Sequence, residues 1–288
     1  MENDFPEQWQ TAFRGMERTM NPWNIPPSER IKWTEGAGVP IPTISENPDF
    51  DYLWWVGCAP ATDARAQKTA IAFAKILNAA NVNFAIIGES ETCTGDSARR
   101  AGNEYLFHEM AAANVEMLNE ISPPKIVTTC PHCLHTIKNE YPAFGGEYEV
   151  IHHTELIEYL LISGKLHLHK DAAGKSVTFH DPCYLGRHNN IFEEPRLAIK
   201  QTGANLIEMQ NHGSKSFCCG AGGSQIWKEE EQGTGAVNET RFKEAEQTRA
   251  SILAVGCPFC LTMLTDASNN AQSNMQVLDI AEIVAEML

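Results

Sequence analysis

The alternation of apolar runs and amphipathic stretches divides most of the chain into strands and helices. Two apolar, β-branched runs, DYLWWVGC and SVTFHDPC, predict strands that end in Cys58 and Cys183. A helical pattern follows each strand, over 64–80 in the first case and 195–202 in the second. Strand and helix continue to alternate to the end of the chain, which is typical of an α/β fold.

The same order of elements occurs twice. Each half continues with a short strand (NFAIIG or NLIEM), a helix (105–119 or 237–249), a third strand (KIVTTC or SILAVGC) and a closing strand and helix. This order predicts right-handed crossovers and a mostly parallel sheet with helices on both faces. We therefore predict two pseudo-repeated, doubly wound α/β domains, at 51–165 and 166–288.

The first 50 residues are predicted to form an extended N-terminal arm. The proline-rich stretches NPWNIPPSER and GVPIPTISENP break any helical period, and only one short helix is predicted, over 7–18. We interpret Trp9, Trp23 and Trp33 as packing anchors, because an arm needs buried contacts to stay ordered.

Charge and composition narrow the class of protein. The formal net charge is -15, which argues against binding to nucleic acid or to an anionic membrane. No apolar run approaches the ~18 residues of a membrane span, and the start of the chain lacks the pattern of a signal peptide. We expect a cytoplasmic protein, free or held at the cytosolic face of a membrane by partner subunits. The acidic stretch 228–232 is predicted to be a solvated turn.

The nine cysteines fall into two matching sets at offsets of 125 or 127 residues. In a reducing compartment such cysteines favour metal ligation over a disulfide framework, with thioredoxin-like redox chemistry as the alternative. Cys219 has no counterpart, because Thr94 occupies the corresponding position. The two sets are Cys58, Cys93, Cys130 and Cys133, and Cys183, Cys218, Cys257 and Cys260.

The spacing favours metal centres beyond the carboxyl ends of the strands. In CPHC and CPFC the proline suits the first turn of a helix, whose N-terminus stabilises thiolate ligands. Four thiolates would suit zinc or an iron–sulfur cluster. The second half has five, which exceeds the tetrahedral requirement of zinc and indicates iron. Gly220, beside Cys218 and Cys219, would let the backbone pass close to such a cluster.

The pattern Cys183, then Cys218-Cys219-Gly220, then Cys257-x-x-Cys260 resembles the cysteine-rich CCG domain of the heterodisulfide reductase B/D-like family. The resemblance covers about residues 51–288, and stretches such as TTCPHC and HDPCYLGR are similar to flavoprotein-linked, membrane-associated members. It implies that the five cysteines bind a non-cubane 4Fe-4S cluster. Those larger members carry a membrane segment and a ferredoxin-like domain, which we expect partner subunits to supply here.

The first half departs from this pattern at Thr94. Its four cysteines could hold a second 4Fe-4S cluster or zinc, or the site could be degenerate. Histidines beside the cysteines, namely His132, His180 and His188, are candidates for tuning the metal or supplying protons. Our candidate catalytic residues are Cys218, Cys219, His180 and His188.

Together these features predict an iron–sulfur oxidoreductase subunit that transfers electrons. Its predicted partners are a flavoprotein, such as electron-transfer flavoprotein, or a ferredoxin-like 4Fe-4S protein on one side, and a quinone or a disulfide acceptor on the other. A membrane quinone-reactive subunit would then belong to the complex. The alternatives are a catalytic heterodisulfide reductase subunit and, in another class, a zinc-stabilised structural scaffold.

Overall fold

Two four-stranded parallel sheets form the frame of the protein in a computed structural model that describes residues 5–229, 231 and 233–288. Each sheet contains the strands of one sequence repeat, as predicted. The strands are β1 (Tyr52–Trp55), β2 (Phe84–Ile86), β3 (Ile126–Thr128), β4 (Val150–His152), β5 (Ser176–Phe179), β6 (Asn205–Leu206), β7 (Ile252–Val255) and β8 (Gln276–Asp279).

Helices connect the strands in both repeats. The described part of the N-terminal arm contains one α-helix and two short 3₁₀-helices, Pro27–Glu29 and Lys32–Gly36. The predicted helices over 7–18, 64–80, 105–119 and 237–249 are all present, with ends that differ by one or two residues. The helices are α1 (Glu7–Thr19), α2 (Cys58–Thr62), α3 (Ala64–Ala79), α4 (Asp96–Arg100), α5 (Glu104–Ile121), α6 (Pro131–His135), α7 (His153–Ile162), α8 (Gly186–Asn189), α9 (Glu193–Gln201), α10 (Val237–Gln247), α11 (Pro258–Asn270) and α12 (Ile280–Ala285).

The two sheets have the same topology. The strand order is β2-β1-β3-β4 in the first repeat and β6-β5-β7-β8 in the second, and every neighbouring pair is parallel. The direction of winding therefore reverses between β1 and β3, and between β5 and β7. Open α/β sheets form a crevice at this point, beyond the carboxyl ends of the strands. The cysteines of each repeat lie around that crevice.

Alternate side chains of each strand pack against helices on opposite faces of the sheet. In β1, Trp54 joins a central core that includes α3, whereas Leu53 and Trp55 join an outer core that includes α5. In β7, Ala254 faces the central core and Leu253 faces an outer core with α10 and α11. Both sheets are thus covered on both faces, which confirms the predicted doubly wound architecture.

The central core is shared by the two repeats. It contains residues of α3 and α7 from the first repeat and of α9 and α12 from the second. Helix α3 packs on α12, and α7 packs on α9. Because α9 is the counterpart of α3 and α12 is the counterpart of α7, exchanging the two repeats converts one contact into the other. Two polar contacts reinforce the interface: Arg65 pairs with Glu282 at 2.8 Å, and the buried His153 Nε2 lies 2.8 Å from Asp279 Oδ1. A pseudo-two-fold relation between the repeats follows.

Helix ends are fixed by local polar contacts. Asp63 begins α3 by accepting hydrogen bonds from the amides of Arg65 and Ala66. Helices α7 and α12 begin at corresponding places with a capping box, made by His152 with Glu155 and by Asp279 with Glu282. The repeat therefore extends to the hydrogen bonds that start its last helix.

Two sequence expectations differ from the structure in extent. The stretch NLIEM was predicted as a strand, but β6 covers only two of its residues, because it lies at the sheet edge and pairs with β5 alone. Helix α9 begins at Glu193, two residues before the predicted start, since Pro195 is tolerated within a first helical turn. Residues 230 and 232 of the predicted solvated turn lie outside the described residues.

The arm packs against both repeats through its tryptophans. Trp33 is buried with its ring centroid 5.6 Å from that of Trp54, and Trp23 stacks edge-on against Trp227 at 4.6 Å. Trp9 donates a hydrogen bond to the Ser224 carbonyl. These contacts agree with the interpretation of the tryptophans as anchors. Within the described residues, no helix has the length and apolar character needed to cross a membrane.

Candidate metal centres

The cysteines gather at the carboxyl ends of the strands of their own repeat. None of the nine forms a disulfide. Cys58 begins α2 directly after β1, and the two Cys-x-x-Cys motifs follow β3 and β7, with proline in the first turn of α6 and α11. The parallel direction of the strands brings these sequence-distant thiols to one edge of each sheet.

The first group borders a small cavity of about 20 Å³. All four of its cysteines line this cavity, together with Thr94, His132 and Phe259. The Sγ atoms of Cys58 and Cys93 lie 3.8 Å apart, and Thr94 Oγ1 lies 4.0 Å from Cys133 Sγ. All four cysteines are buried.

The geometry of the first site is compatible with both groups considered for it, a zinc ion and an iron–sulfur cluster. Two thiolates at about 2.3 Å from one tetrahedral zinc ion would be about 3.8 Å apart, and the separation of Cys58 and Cys93 matches that value. Four cysteines around one cavity also suit a 4Fe-4S cluster, which is held by four thiolates. The residues therefore fit either zinc or an iron–sulfur cluster.

A buried ion pair supports the loop that carries Cys58. The Glu91 carboxylate accepts hydrogen bonds from the amides of Val56 and Gly57, at 2.9 and 2.8 Å, and from Arg30 at 2.7 Å. Burial raises the pKa of Glu91, although the Arg30 charge and the two amides oppose this effect. Sequence reasoning missed this pair. Glu91 lies two residues before Cys93, but nothing in the arm marked Arg30 as its partner.

A second polar network borders the first site. His132 Nδ1 lies 2.8 Å from Asp96 Oδ2, and Arg100 also pairs with Asp96, at 3.0 Å. Burial alone would raise the pKa of Asp96, but the His132 and Arg100 charges outweigh it and hold that pKa at about 2. Asp96 was not among the predicted site residues, although it lies two residues after Thr94.

The second group brings together the five cysteines of the CCG pattern. The Sγ atoms of Cys219 and Cys260 lie 3.2 Å apart, and the Gly220 amide donates to Cys218 Sγ at 3.3 Å. Gly220 has a φ of 95°, a left-handed conformation that suits glycine, so this residue lets the chain fold back over the thiol. The neighbouring Cys218 thiol raises the pKa of Cys219 to about 12.

The two centres differ in exposure. Cys219, Cys257 and Cys260 are buried, whereas Cys183 and Cys218 are only partly buried. The neighbouring Phe217 is 42% exposed. One edge of the second site therefore reaches the surface, while every cysteine of the first site is enclosed.

The two groups also adjoin each other. The thiols of Cys133 and Cys257 hold the pKa of Cys130 well below its usual range, so a first-repeat and a second-repeat cysteine interact directly. Phe259, from the second Cys-x-x-Cys motif, lines the cavity of the first site. The sequence predicted two separate centres and gave no sign that they share a boundary.

The candidate histidines have different environments. His180 is buried beside the second group: one ring nitrogen lies within 4.8 Å of the Sγ atoms of both Cys219 and Cys260. His188 is exposed and stacks on Tyr184, with ring centroids 4.4 Å apart. Tyr184 in turn stacks on His132 at 4.2 Å. The structure therefore brings His180 to the cysteines and leaves His188 at the surface.

Comparison with known proteins agrees with this duplicated arrangement. A cysteine-rich domain, CCG, matches residues 52–138 and 177–265, one copy for each sheet. The chain belongs to the CCG family. We refer below to its two halves as CCG repeats. Their limits of 51–165 and 166–288 remain a prediction.

Several relatives of the CCG chain are named as redox proteins. The probable iron-sulfur-binding oxidoreductase FadF of Bacillus subtilis is 42% identical over 96% of this chain and 40% of its own length. EtfAB:quinone oxidoreductase of Syntrophomonas wolfei is 38% identical over 98% of the chain and 41% of its own length. The chain thus spans about two fifths of these two relatives.

A third relative comes from a heterodisulfide reductase. One polypeptide of the dihydromethanophenazine:CoB--CoM heterodisulfide reductase of Methanosarcina barkeri is 33% identical over 93% of this chain and 65% of that protein. Among solved structures, glutamate racemase from Francisella tularensis aligns with a TM-score of 0.35 at 14% identity, which is too low to bear on function.

Proposed function

We propose that this chain is an electron-transfer subunit of an iron–sulfur oxidoreductase, with a non-cubane 4Fe-4S cluster in the second CCG repeat. The observation that carries the proposal is the gathering of five unbridged cysteines at one sheet edge, where each thiol interacts with at least one other. The five are Cys183, Cys218, Cys219, Cys257 and Cys260. A tetrahedral zinc site uses four ligands and would leave one of these thiols without a role. Relatives named as iron–sulfur proteins support the same choice.

For the first repeat we propose a second 4Fe-4S cluster held by Cys58, Cys93, Cys130 and Cys133, with zinc as the alternative. A relative named as an iron-sulfur-binding oxidoreductase supports the cluster. Contact between Cys130 and Cys257 would place the two centres within easy electron-transfer distance. Each centre would supply one-electron redox chemistry, and the protein would tune it through hydrogen bonds to the sulfurs and burial.

Electrons would pass between a flavoprotein or ferredoxin-type partner and a quinone or disulfide acceptor. The relative named EtfAB:quinone oxidoreductase supports a flavoprotein and a quinone as redox partners, and a membrane quinone-reactive subunit would belong to such a complex. The partly exposed Cys183 and Cys218 mark the edge where a partner could approach. We propose a cytoplasmic location, free or at the cytosolic face of a membrane through such partners.

A second candidate function is heterodisulfide reduction. The same exposed thiol edge would admit a disulfide to the second centre, and a relative carries this name. Thr94 counts against it, because the first repeat lacks the fifth cysteine of a complete CCG motif. Electron transfer to a partner is therefore the preferred function.

Metal analysis of anaerobically purified protein tests the proposal. We expect iron and acid-labile sulfide at four or more of each per chain, which is the content of at least one 4Fe-4S cluster. Iron and sulfide near zero, with about two zinc ions per chain, would instead support the structural scaffold. Four iron with one zinc would assign zinc to the first site.

A further inference from the structure

His180 lies in a hydrogen-bonding arrangement that fixes which of its ring nitrogens carries a proton. The Arg241 Nε–H group donates to His180 Nδ1 at 3.0 Å. An arginine side chain has no acceptor, so Nδ1 must accept with its lone pair. A neutral imidazole then carries its only proton on Nε2.

Arg241 is itself held in one position. Its guanidinium is fully buried and donates to the Asn211 carbonyl at 2.9 Å, to Glu244 at 2.6 Å and to Ser216 Oγ at 3.1 Å. Three further contacts therefore orient the Nε–H group toward His180. Arg241 is therefore a positioning residue for the His180 imidazole.

The remaining nitrogen of His180 is a buried donor that lacks an obvious acceptor. Nε2 has no hydrogen-bond partner among the described residues, although the side chain is only 1% exposed. Leaving a buried N–H group unpaired is costly. The ring lies beside Cys219 and Cys260, so their sulfurs, or a group that they bind, are the nearest candidates to accept this proton.

The first repeat has a comparable donor in the corresponding position. At the offset of 125 residues that relates Cys183 to Cys58, Trp55 corresponds to His180. Trp55 is fully buried in the same apolar core as the four first-repeat cysteines, and its Nε1 also has no partner among the residues that the structure describes. An indole N–H can donate but cannot ligate a metal. The position is therefore suited to a ring N–H donor in both repeats.

We propose that His180 donates its Nε2 proton to the sulfurs of the second metal centre and is not a ligand of that centre, and that Arg241 fixes this tautomer. The proposal rests on the proposed function. Donation from N–H to a ligating sulfur withdraws negative charge from the sulfur and stabilises the reduced state, so His180 raises the reduction potential of the centre. His180 thus changes the reduction potential of the second centre without transferring its proton.

Electron–nuclear double resonance on the intact iron-loaded protein tests this assignment without any variant. Protein with ¹⁵N-labelled histidine, prepared once in H₂O and once in D₂O, would be measured in a paramagnetic state of the second centre. We expect a proton coupling that disappears in D₂O, together with only weak histidine ¹⁵N coupling. Strong ¹⁵N coupling would identify His180 as a ligand and overturn the proposal, as would the absence of an exchangeable proton.

Potentials of variants provide a second readout. We expect His180→Phe and Arg241→Met to lower the midpoint potential of the second centre while the first-site signal stays unchanged. His212→Phe is the matched control, because His212 is an exposed histidine of the same repeat whose Nδ1 contacts the Met209 carbonyl. An unchanged potential in iron-loaded His180→Phe would overturn the proposal. Wild-type protein without iron would contradict the proposed function itself, which is a distinguishable result.

Discussion

Cys219 and Thr94 occupy the same position in the two repeats, and the two sites differ most at this residue. Cys219 is buried with its sulfur 3.2 Å from Cys260 Sγ, and Thr94 is buried with its hydroxyl 4.0 Å from Cys133 Sγ. Both side chains thus face the second cysteine of their own Cys-x-x-Cys motif. A hydroxyl is a poor substitute for a thiolate on iron, so the proposed clusters would have unequal ligand sets.

Replacing the fifth cysteine should change the second centre and leave the first intact. We expect Cys219→Ser to alter the EPR signal of the oxidised second centre, because one thiolate ligand is lost. Thr94→Val is the matched control in the first repeat and should preserve that signal. An unaltered spectrum in iron-loaded Cys219→Ser would show that this thiol is not a ligand.

Asp96 illustrates how single charges beside the first site affect stability. Its folded pKa of about 2 lies below the ordinary value of 3.8, because the His132 and Arg100 charges overcome the effect of burial. A depressed carboxyl pKa stabilises the folded state above the ordinary pKa, and this contribution disappears as pH falls toward the folded pKa. The relevant window is therefore about pH 4 to 2.

Asp96→Asn should remove this contribution. We expect the variant to lose about 2 kcal/mol of unfolding free energy at neutral pH, with the difference from wild type vanishing near pH 2. Denaturant unfolding at several pH values measures both quantities. Asp49→Asn, at an exposed position, is the control and should show no such difference. A difference independent of pH would contradict the ionic explanation.

At the scale of elements, the contact between α3 and α12 joins the repeats through Arg65 and Glu282. Arg65 makes two parallel hydrogen bonds to the Glu282 carboxylate, at 2.8 and 2.9 Å, and a third to the Val277 carbonyl. Glu282 also accepts from the Asp279 amide as part of the capping box of α12. The Glu282 carboxylate therefore caps the N-terminus of α12 and also binds Arg65 of the first repeat.

Arg65→Met should weaken the interface between the repeats. We expect a loss of about 2 kcal/mol of unfolding free energy, because a largely buried Glu282 carboxylate is left without its cation. Lys175→Met removes the exposed pair with Glu286 and should cost less than about 0.5 kcal/mol. Equal effects of the two substitutions in denaturant unfolding would contradict the argument.

At the scale of the whole molecule, the arm and the second repeat close the first site from outside. The Cys93 amide donates to the Met20 carbonyl of the arm, and Trp227 of the second repeat donates to Ser97 Oγ. Trp23 and Trp227 meet edge-on, joining the arm to that loop. Neither segment supplies a cysteine to the first site, but both restrict access to it.

Trp23→Ala should expose the first site without changing its ligands. We expect a chelator to remove metal from the first site about tenfold faster, which corresponds to about 1.4 kcal/mol of lost aromatic packing. Stopped-flow absorbance of metal release measures the rate. Tyr105→Ala, which removes an aromatic side chain that is 75% exposed, should release metal at the wild-type rate. Equal rates for both variants would show that the arm does not control access.

The sequence by itself determined the repeated α/β elements and the ligand candidates of each site. Apolar strand runs, helical periods and cysteine offsets are local or periodic signals, so β1, β5 and both Cys-x-x-Cys turns could be located without coordinates. Only the tertiary structure decided which residues from distant parts of the chain lie in contact. Arg30 pairs with Glu91 across 61 residues, and Cys130 meets Cys257 across the two repeats.

The tautomer of His180 depends on the tertiary structure in the same way. Arg241 lies 61 residues further along the chain, and only folding brings its Nε–H group to the imidazole. Such pairings arise where two packed elements meet, and no period in the sequence encodes the distance between them. The sequence therefore identified the thiols that are candidate metal ligands, and the fold decided which of them lie close together, which are partly exposed and which charges surround them.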